Sequence, residues 1–239
     1  MTPSVRIAHL YPREMNIYGD HGNVLALLRR LQWRDYEAEV VEVHRGDTLP
    51  SDLDLIVGGG GQDSGQVDVE ADLQRLGPEL RAMAEDGTPM LLVCGLYQLF
   101  GHRFDTAEGR VLRGIGVLDV VTAAGSGRLI GNVVADSAEF GTVLGYENHS
   151  GRTTLGDGAS PFARVPRGMG NNGTDGTEGA RHNNVIGTYL HGSLLPKNPA
   201  VADHLIAIAV QRRFGTDELT PLDDAWIAEA RRVARTRPR

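Results

Sequence analysis

Two short segments share a grammar suited to nucleophilic chemistry. "PMLLVCGLYQLFG" (89–101) carries the only cysteine of the chain, Cys94, at the end of an apolar run and directly before Gly95. "VIGTYLHGSLL" (185–195) ends a second apolar run in His191, again followed by glycine. A strand that turns sharply at such a point lifts its last side chain clear of the sheet, and a small neighbour lets the turn close. The first N–H groups and positive dipole end of the helix that follows would favour thiolate, the nucleophilic form of cysteine. A histidine on the same sheet edge would be its base. Cys94 also fits a plain core position, because free cysteine is among the most buried residue types. The pairing with His191 tips the reading towards catalysis. His149, in "ENHSGRT" (147–153), is a rival base whose neighbours Asn148, Ser150 and Arg152 suit a substrate or partner contact.

A third segment, "VGGGGQDSG" (57–65), is a strand running into a glycine loop. It lacks the Gly-Lys-Ser/Thr of a P-loop, and Gln62 and Asp63 stand where a dinucleotide fingerprint would bring a helix to a pyrophosphate. Its glycines can instead leave backbone N–H groups facing an anionic intermediate. Tyr18, Asp20 and Asn23 in "YPREMNIYGDHGN" (11–23) either rim a pocket or serve the helix that starts near Asn23, with Asn23 read as its cap.

These residues need a frame that gathers strand ends. "VRIAHLY" (5–11), "AEVVEVH" (38–44), "LDLIVGGGG" (53–61) and "MLLVC" (90–94) read as strands. Helical patterns over 23–33 and 68–85 separate them, the latter repeating Val69, Leu73, Leu76, Leu80 and Met83. The β-α-β-α-β rhythm predicts a flavodoxin-like, doubly wound, mostly parallel α/β sheet, whose sites form at the carboxyl ends of strands. The second half predicts added strands at 115–121, 127–135, 141–155 and 184–192, then helices near 199–213 and 222–234. Residues 168–184 have almost nothing apolar to bury and read as a mobile loop with a hairpin tip near the site. Without a convincing linker, 1–239 reads as a single domain with a frayed tail at 235–239.

Composition narrows the class. The chain has 239 residues, 41% hydrophobic, with formal net charge -7 and no basic stripe, which disfavours nucleic acid. One cysteine forbids an internal disulfide and fits a reducing compartment. No apolar run approaches the roughly 18 residues of a membrane span, and no signal-peptide pattern opens the chain, so a cytoplasmic location is expected without direct membrane insertion.

Taken in order, the N-terminal "YPREMNIYGDHGN", the strand–glycine loop, "CGLYQ", "ENHSGRT" and "YLHG" resemble class I, triad-type glutamine amidotransferases similar to cobyric acid synthase glutaminase domains. Nearer still, the chain resembles the glutaminase subunits of lipid II isoglutaminyl synthases. The resemblance implies that Cys94 attacks glutamine, His191 moves the proton, Gly60 and Gly95 donate to the oxyanion, and Arg128 and Gln98 bind substrate. It implies no metal and no cofactor in this chain. Ammonia would pass to a Mur-ligase-like subunit, MurT, which would bring ATP and Mg²⁺ and amidate the D-glutamate α-carboxyl of lipid II. The match departs at His191-Gly192-Ser193, where many relatives carry His-x-Glu. Glu147, Asp203 or a carboxylate of the partner would then orient His191, or the site would run as a dyad, the partner being favoured. Glycine also follows the cysteine directly rather than two residues on. Other classes in view are a glutaminase subunit of another biosynthetic amidotransferase, a DJ-1-like cysteine hydrolase, and a binding module with a dead site.

Overall fold

The alternating half of the chain builds one sheet. A computed structural model describes residues 3–191 and 194–237. In chain order its elements are β1 (Ser4–Leu10), α1 (His21–Gln32), β2 (Glu37–Val43), β3 (Leu55–Gly58), α2 (Asp63–Glu85), β4 (Met90–Val93) and α3 (Gly95–Leu99). There follow β5 (Arg103–Asp105), β6 (Val111–Arg113), β7 (Val120–Ser137), β8 (Gly141–Leu155), β9 (Ala163–Arg167), β10 (Thr177–Glu178), β11 (Ala180–His182) and β12 (Val185–Thr188). The last three are α4 (Leu194–Lys197), α5 (Pro199–Phe214) and α6 (Ala225–Thr236).

The first sheet runs β11-β12-β4-β3-β1-β2, parallel throughout except for the edge strand β11. Of its four central strands, β3, β4 and β12 are buried along their whole length and β1 everywhere but Ser4 and Arg6, as parallel strands under crossover helices must be. The strand order reverses between β1 and β3, and α/β sheets bind ligands at such a switch point. The predicted flavodoxin-like sheet is what forms.

The added strands make a second sheet, β10-β9-β7-β5-β6, with β8 paired to β7. β7 and β8 are long and antiparallel, and their register breaks between Ala124 and Leu129. That break carries Arg128 out of the ladder. β8 also reaches back to the first sheet: the His191 N–H donates to the Tyr146 carbonyl at 2.7 Å. One cluster of buried apolar side chains runs through both sheets, from Val5 to Val210. Among the described residues, no helix is long and apolar enough to cross a membrane.

Four local expectations need correction. The strand expected over 115–121 starts only at Val120, because Ile115 and Leu118 donate to Leu99 and Phe100 and follow α3 instead of a neighbouring strand. The β5–β6 hairpin was not anticipated, being three residues a side. Residues 168–184 do hold a hairpin tip, between β11 and β12, but the run before it is densely hydrogen-bonded rather than the loose loop expected: Asn171 is fully buried, donates to Thr177 Oγ1 and the Gly179 carbonyl, and accepts from the Gly179 N–H. Polar side chains bonding their own backbone do there what apolar burial does elsewhere. Of the tail expected at 235–239, Arg235 and Thr236 belong to α6; residues 238 and 239 lie outside the described residues.

Candidate active site

Cys94 stands at the tip of β4 with φ 50° and ψ -100°, a conformation that non-glycine residues rarely adopt. Its N–H donates to the Thr188 carbonyl at the end of β12, so the strained turn is tied to the strand that leads to His191. The elbow expected from the sequence is present. The following helix is only five residues long, so the larger positive charge beside the sulfur is an imidazolium rather than a helix dipole.

His191 is fully buried, and its Nδ1 lies 3.1 Å from both carboxylate oxygens of Asp20. Burial by itself would lower its pKa. The charge of the neighbouring Cys94 and the bond to Asp20 outweigh that, and the value is pushed up to about 10. Nε2 is in close range of the sulfur without a well-formed hydrogen bond. Tyr18 covers the imidazole edge-on, ring centroids 5.0 Å apart.

Within this chain the carboxylate at His191 Nδ1 is Asp20, and neither Glu147 nor Asp203, the two residues of the chain that the sequence suggested. Glu147 receives the Met169 and Gly170 N–H groups, and Asp203 is locked between Arg30 and Arg34. Spacing offers no route to Asp20: it precedes His191 by most of the chain and meets it only because β1 and β12 deliver both to one edge. Ser193, the position where relatives carry glutamate, lies outside the described residues with Gly192. Asp20 sits at the N-cap position of α1 yet makes no side-chain capping bond. Asn23 is likewise no cap; it is buried within α1 and accepts the Leu195 N–H at 2.9 Å.

The second Asp20 contact changes the oxyanion assignment. Its Oδ2 accepts the Gly60 N–H at 2.7 Å, so that donor is engaged and does not face the pocket. Gly60 is required for closeness: a Cβ there would stand 2.6 Å from His191 Cε1 and 3.0 Å from the Cys94 Cβ. The next residue, Gly61, lines the pocket, and its nitrogen packs about the Gly95 Cα, 3.1 Å from where a Cβ would be. No hydrogen bond among the described residues takes up the Gly61 or Gly95 N–H. These two are the donors available to a developing oxyanion.

The sulfur opens on a cavity of about 340 Å³ lined by Tyr18, Gly61, Cys94, Gln98, Arg128 and His149, among others. Arg128 is exposed at its mouth, where its Nε and one terminal nitrogen donate to the Asn148 side chain and carbonyl, each at 2.7 Å. The remaining donors of the fork are left for an anion. Gln98, expected to bind substrate, lines the cavity and is tied into its wall: it donates to Tyr189 Oη at 3.0 Å and accepts from Gln66 at 2.8 Å. Tyr189 continues that buried network to Thr153 and Thr122. His149 is in the cavity lining but is not the base beside Cys94; His191 holds that place. Among the described residues, no group of three or more His, Cys, Asp and Glu side chains is placed to hold a metal ion.

The chain is similar to known proteins in sequence and in fold. Residues 6–199 match the family model of the CobB/CobQ-like glutamine amidotransferase domain. The chain is 37% identical to the Staphylococcus aureus protein named lipid II isoglutaminyl synthase (glutamine-hydrolyzing) subunit GatD, over 95% of this chain and 93% of that one. Its identity to the Streptococcus pneumoniae protein of the same name is 34%, over 91% and 85%. Among solved structures, a glutamine amidotransferase crystal structure overlays with a TM-score of 0.62 at 17% identity, over 84% of this chain and 98% of that one, a likeness of fold alone.

Proposed function

The chain belongs to the CobB/CobQ-like glutamine amidotransferase family, and from that premise we propose that it is the glutamine-hydrolysing subunit of a lipid II isoglutaminyl synthase. The observation that carries the chemistry is Cys94 on its strained elbow beside a buried His191 whose Nδ1 is held by Asp20. With glutamine in the cavity, Arg128 takes the α-carboxylate and aims the side-chain amide at Cys94. Sγ attacks the amide carbon, and the negative oxygen is received by the Gly61 and Gly95 N–H groups. His191, protonated at neutral pH, gives its Nε2 proton to the amide nitrogen; the C–N bond breaks, and ammonia leaves a glutamyl thioester. The neutral imidazole then draws a proton from water, which attacks the thioester and releases glutamate and the thiolate.

The ammonia would serve a Mur-ligase-like subunit, MurT, that brings ATP and Mg²⁺ and amidates the D-glutamate α-carboxyl of lipid II to D-isoglutamine, with the reaction on the cytoplasmic side. The names of these two relatives support the lipid II assignment. The test is glutamate release from L-glutamine by the purified chain and by Cys94→Ala, each with and without the co-expressed synthetase subunit. Release that vanishes in Cys94→Ala and rises with the partner is expected. Equal silence of both proteins with the partner present would overturn the reading.

A further inference from the structure

We propose that His149 recognises the α-amino group of glutamine, accepting a hydrogen bond from it at Nε2. The inference rests on the glutaminase reading and gives that site its selectivity for an α-amino acid amide. His149 lies on β8 opposite Leu129, one residue from Arg128, and Arg128 is itself bonded to Asn148. The carboxylate and ammonium of glutamine share one carbon, so whatever accepts from the ammonium must adjoin the guanidinium that takes the carboxylate. His149 does.

Its ring carries an unpartnered acceptor. Nδ1 is 2.8 Å from the Gly151 carbonyl, which can only accept, so Nδ1 carries the hydrogen. Burial then dominates over that bond, and the charges of Arg152, His191 and Arg128 add to it; the pKa falls to about 3, and the imidazole is neutral. A neutral ring protonated at Nδ1 has a lone pair at Nε2. That atom is buried and has no hydrogen-bond partner among the described residues, although the side chain lines the cavity. The ring cannot swing to find one: it is stacked on Tyr189 at 3.5 Å and 5°, and Tyr189 is held by Thr153 and Gln98. A buried acceptor kept in place without a partner suits a donor that arrives with the substrate.

The same cavity offers Asp63 and Ser64 as rival acceptors. The experiment compares kcat/KM for L-glutamine and for glutaramate, which lacks the α-amino group, using the full chain with its synthetase subunit where that stimulates release. Wild-type protein should prefer glutamine by about 10- to 100-fold, chiefly in KM, the range for a hydrogen bond to a charged group. In His149→Phe, which keeps the stack and loses the lone pair, that preference should collapse to within threefold of unity while glutaramate turnover is retained. A preference that survives His149→Phe overturns the assignment, as does an equal fall for both substrates. Loss of the preference in Asp63→Asn, a surface change that leaves His149 intact, overturns it without any His149 variant. A wild type that releases no product from glutamine fails at the premise instead, and takes the assignment with it.

Discussion

Asp20→Asn isolates what the carboxylate does for His191. The amide oxygen can still accept the Gly60 N–H, so the loop that closes over the site keeps its anchor. The amide nitrogen, however, now faces Nδ1 as a donor, and the negative charge is gone. With charge centres about 4 Å apart and an effective dielectric constant near 20, a unit pair is worth about 4 kcal/mol, or about a thousandfold in proton affinity. The charge of Cys94, the largest influence raising His191, stays in place and burial continues to pull it down, so the value moves down from about 10. The tautomer also reverses: the neutral ring accepts at Nδ1 and carries its hydrogen on Nε2, towards Cys94, where a base is needed. The same inversion in a Ser-His-Asp triad costs about 10⁴ in kcat. Glutamate release by Asp20→Asn should therefore fall about 10²- to 10⁴-fold in kcat, with KM within about threefold because Arg128 and the pocket walls are untouched. The assay pairs turnover with an NMR titration of labelled histidine, in which the His191 midpoint should move down. A midpoint and a kcat both within twofold of wild type would refute the argument.

Three further outcomes follow from the geometry. Gly60→Ala should cost at least about 10²-fold in turnover and about 1–3 kcal/mol in stability, read by urea denaturation, because its Cβ would overlap His191 Cε1 at 2.6 Å against a ring fixed on both sides. Asp203→Ala should lower stability by about 2–3 kcal/mol by leaving the buried Arg34 guanidinium without a carboxylate and Arg30 with Asp224 alone, yet leave kcat within twofold, which separates it from Asp20. His9 is buried with neither ring nitrogen bonded, and burial lowers its pKa from 6.5 to about 4. The unfolded chain then binds this proton more readily, so the stability it contributes is full above 6.5 and is lost as pH falls through 4. At pH 5 the loss is about 2 kcal/mol, and His9→Leu should remove that part of the pH dependence of the urea midpoint.

The opposite slope belongs to two groups raised in the folded state. His191 contributes stability that is complete below 6.5 and disappears as pH rises through about 10. Glu178, buried and pushed up to about 7, does the same between 4.5 and 7. Buried groups of the fold thus pull its pH optimum in both directions. The strained Cys94 turn is held against this background by the Thr188 carbonyl and by the packing of Gly58–Gly61, where a side chain would strike Leu96, Met15 or His191.

The sequence by itself determined what depends on local pattern. Apolar runs ended by glycine located β3, β4 and β12, alternation with helical periodicity placed them in one parallel sheet, and the chemistry of parallel sheets put Cys94, the glycine loop and His191 on one edge. Tertiary structure alone decided the hydrogen bonds across that edge. Asp20 reached His191 because the loop after β1 folds over the switch point, and no spacing rule links two residues so far apart in the chain. The same contact took the Gly60 N–H out of service and left Gly61 and Gly95 as donors. Gln98 became part of a wall because Gln66 and Tyr189 came from elsewhere to meet it. The run at 168–184 packed because its asparagines, threonines and glycines close bonds with one another, which a count of apolar residues does not register. Periodicity reports which face of an element is buried; it carries no record of which polar atom waits on the other side.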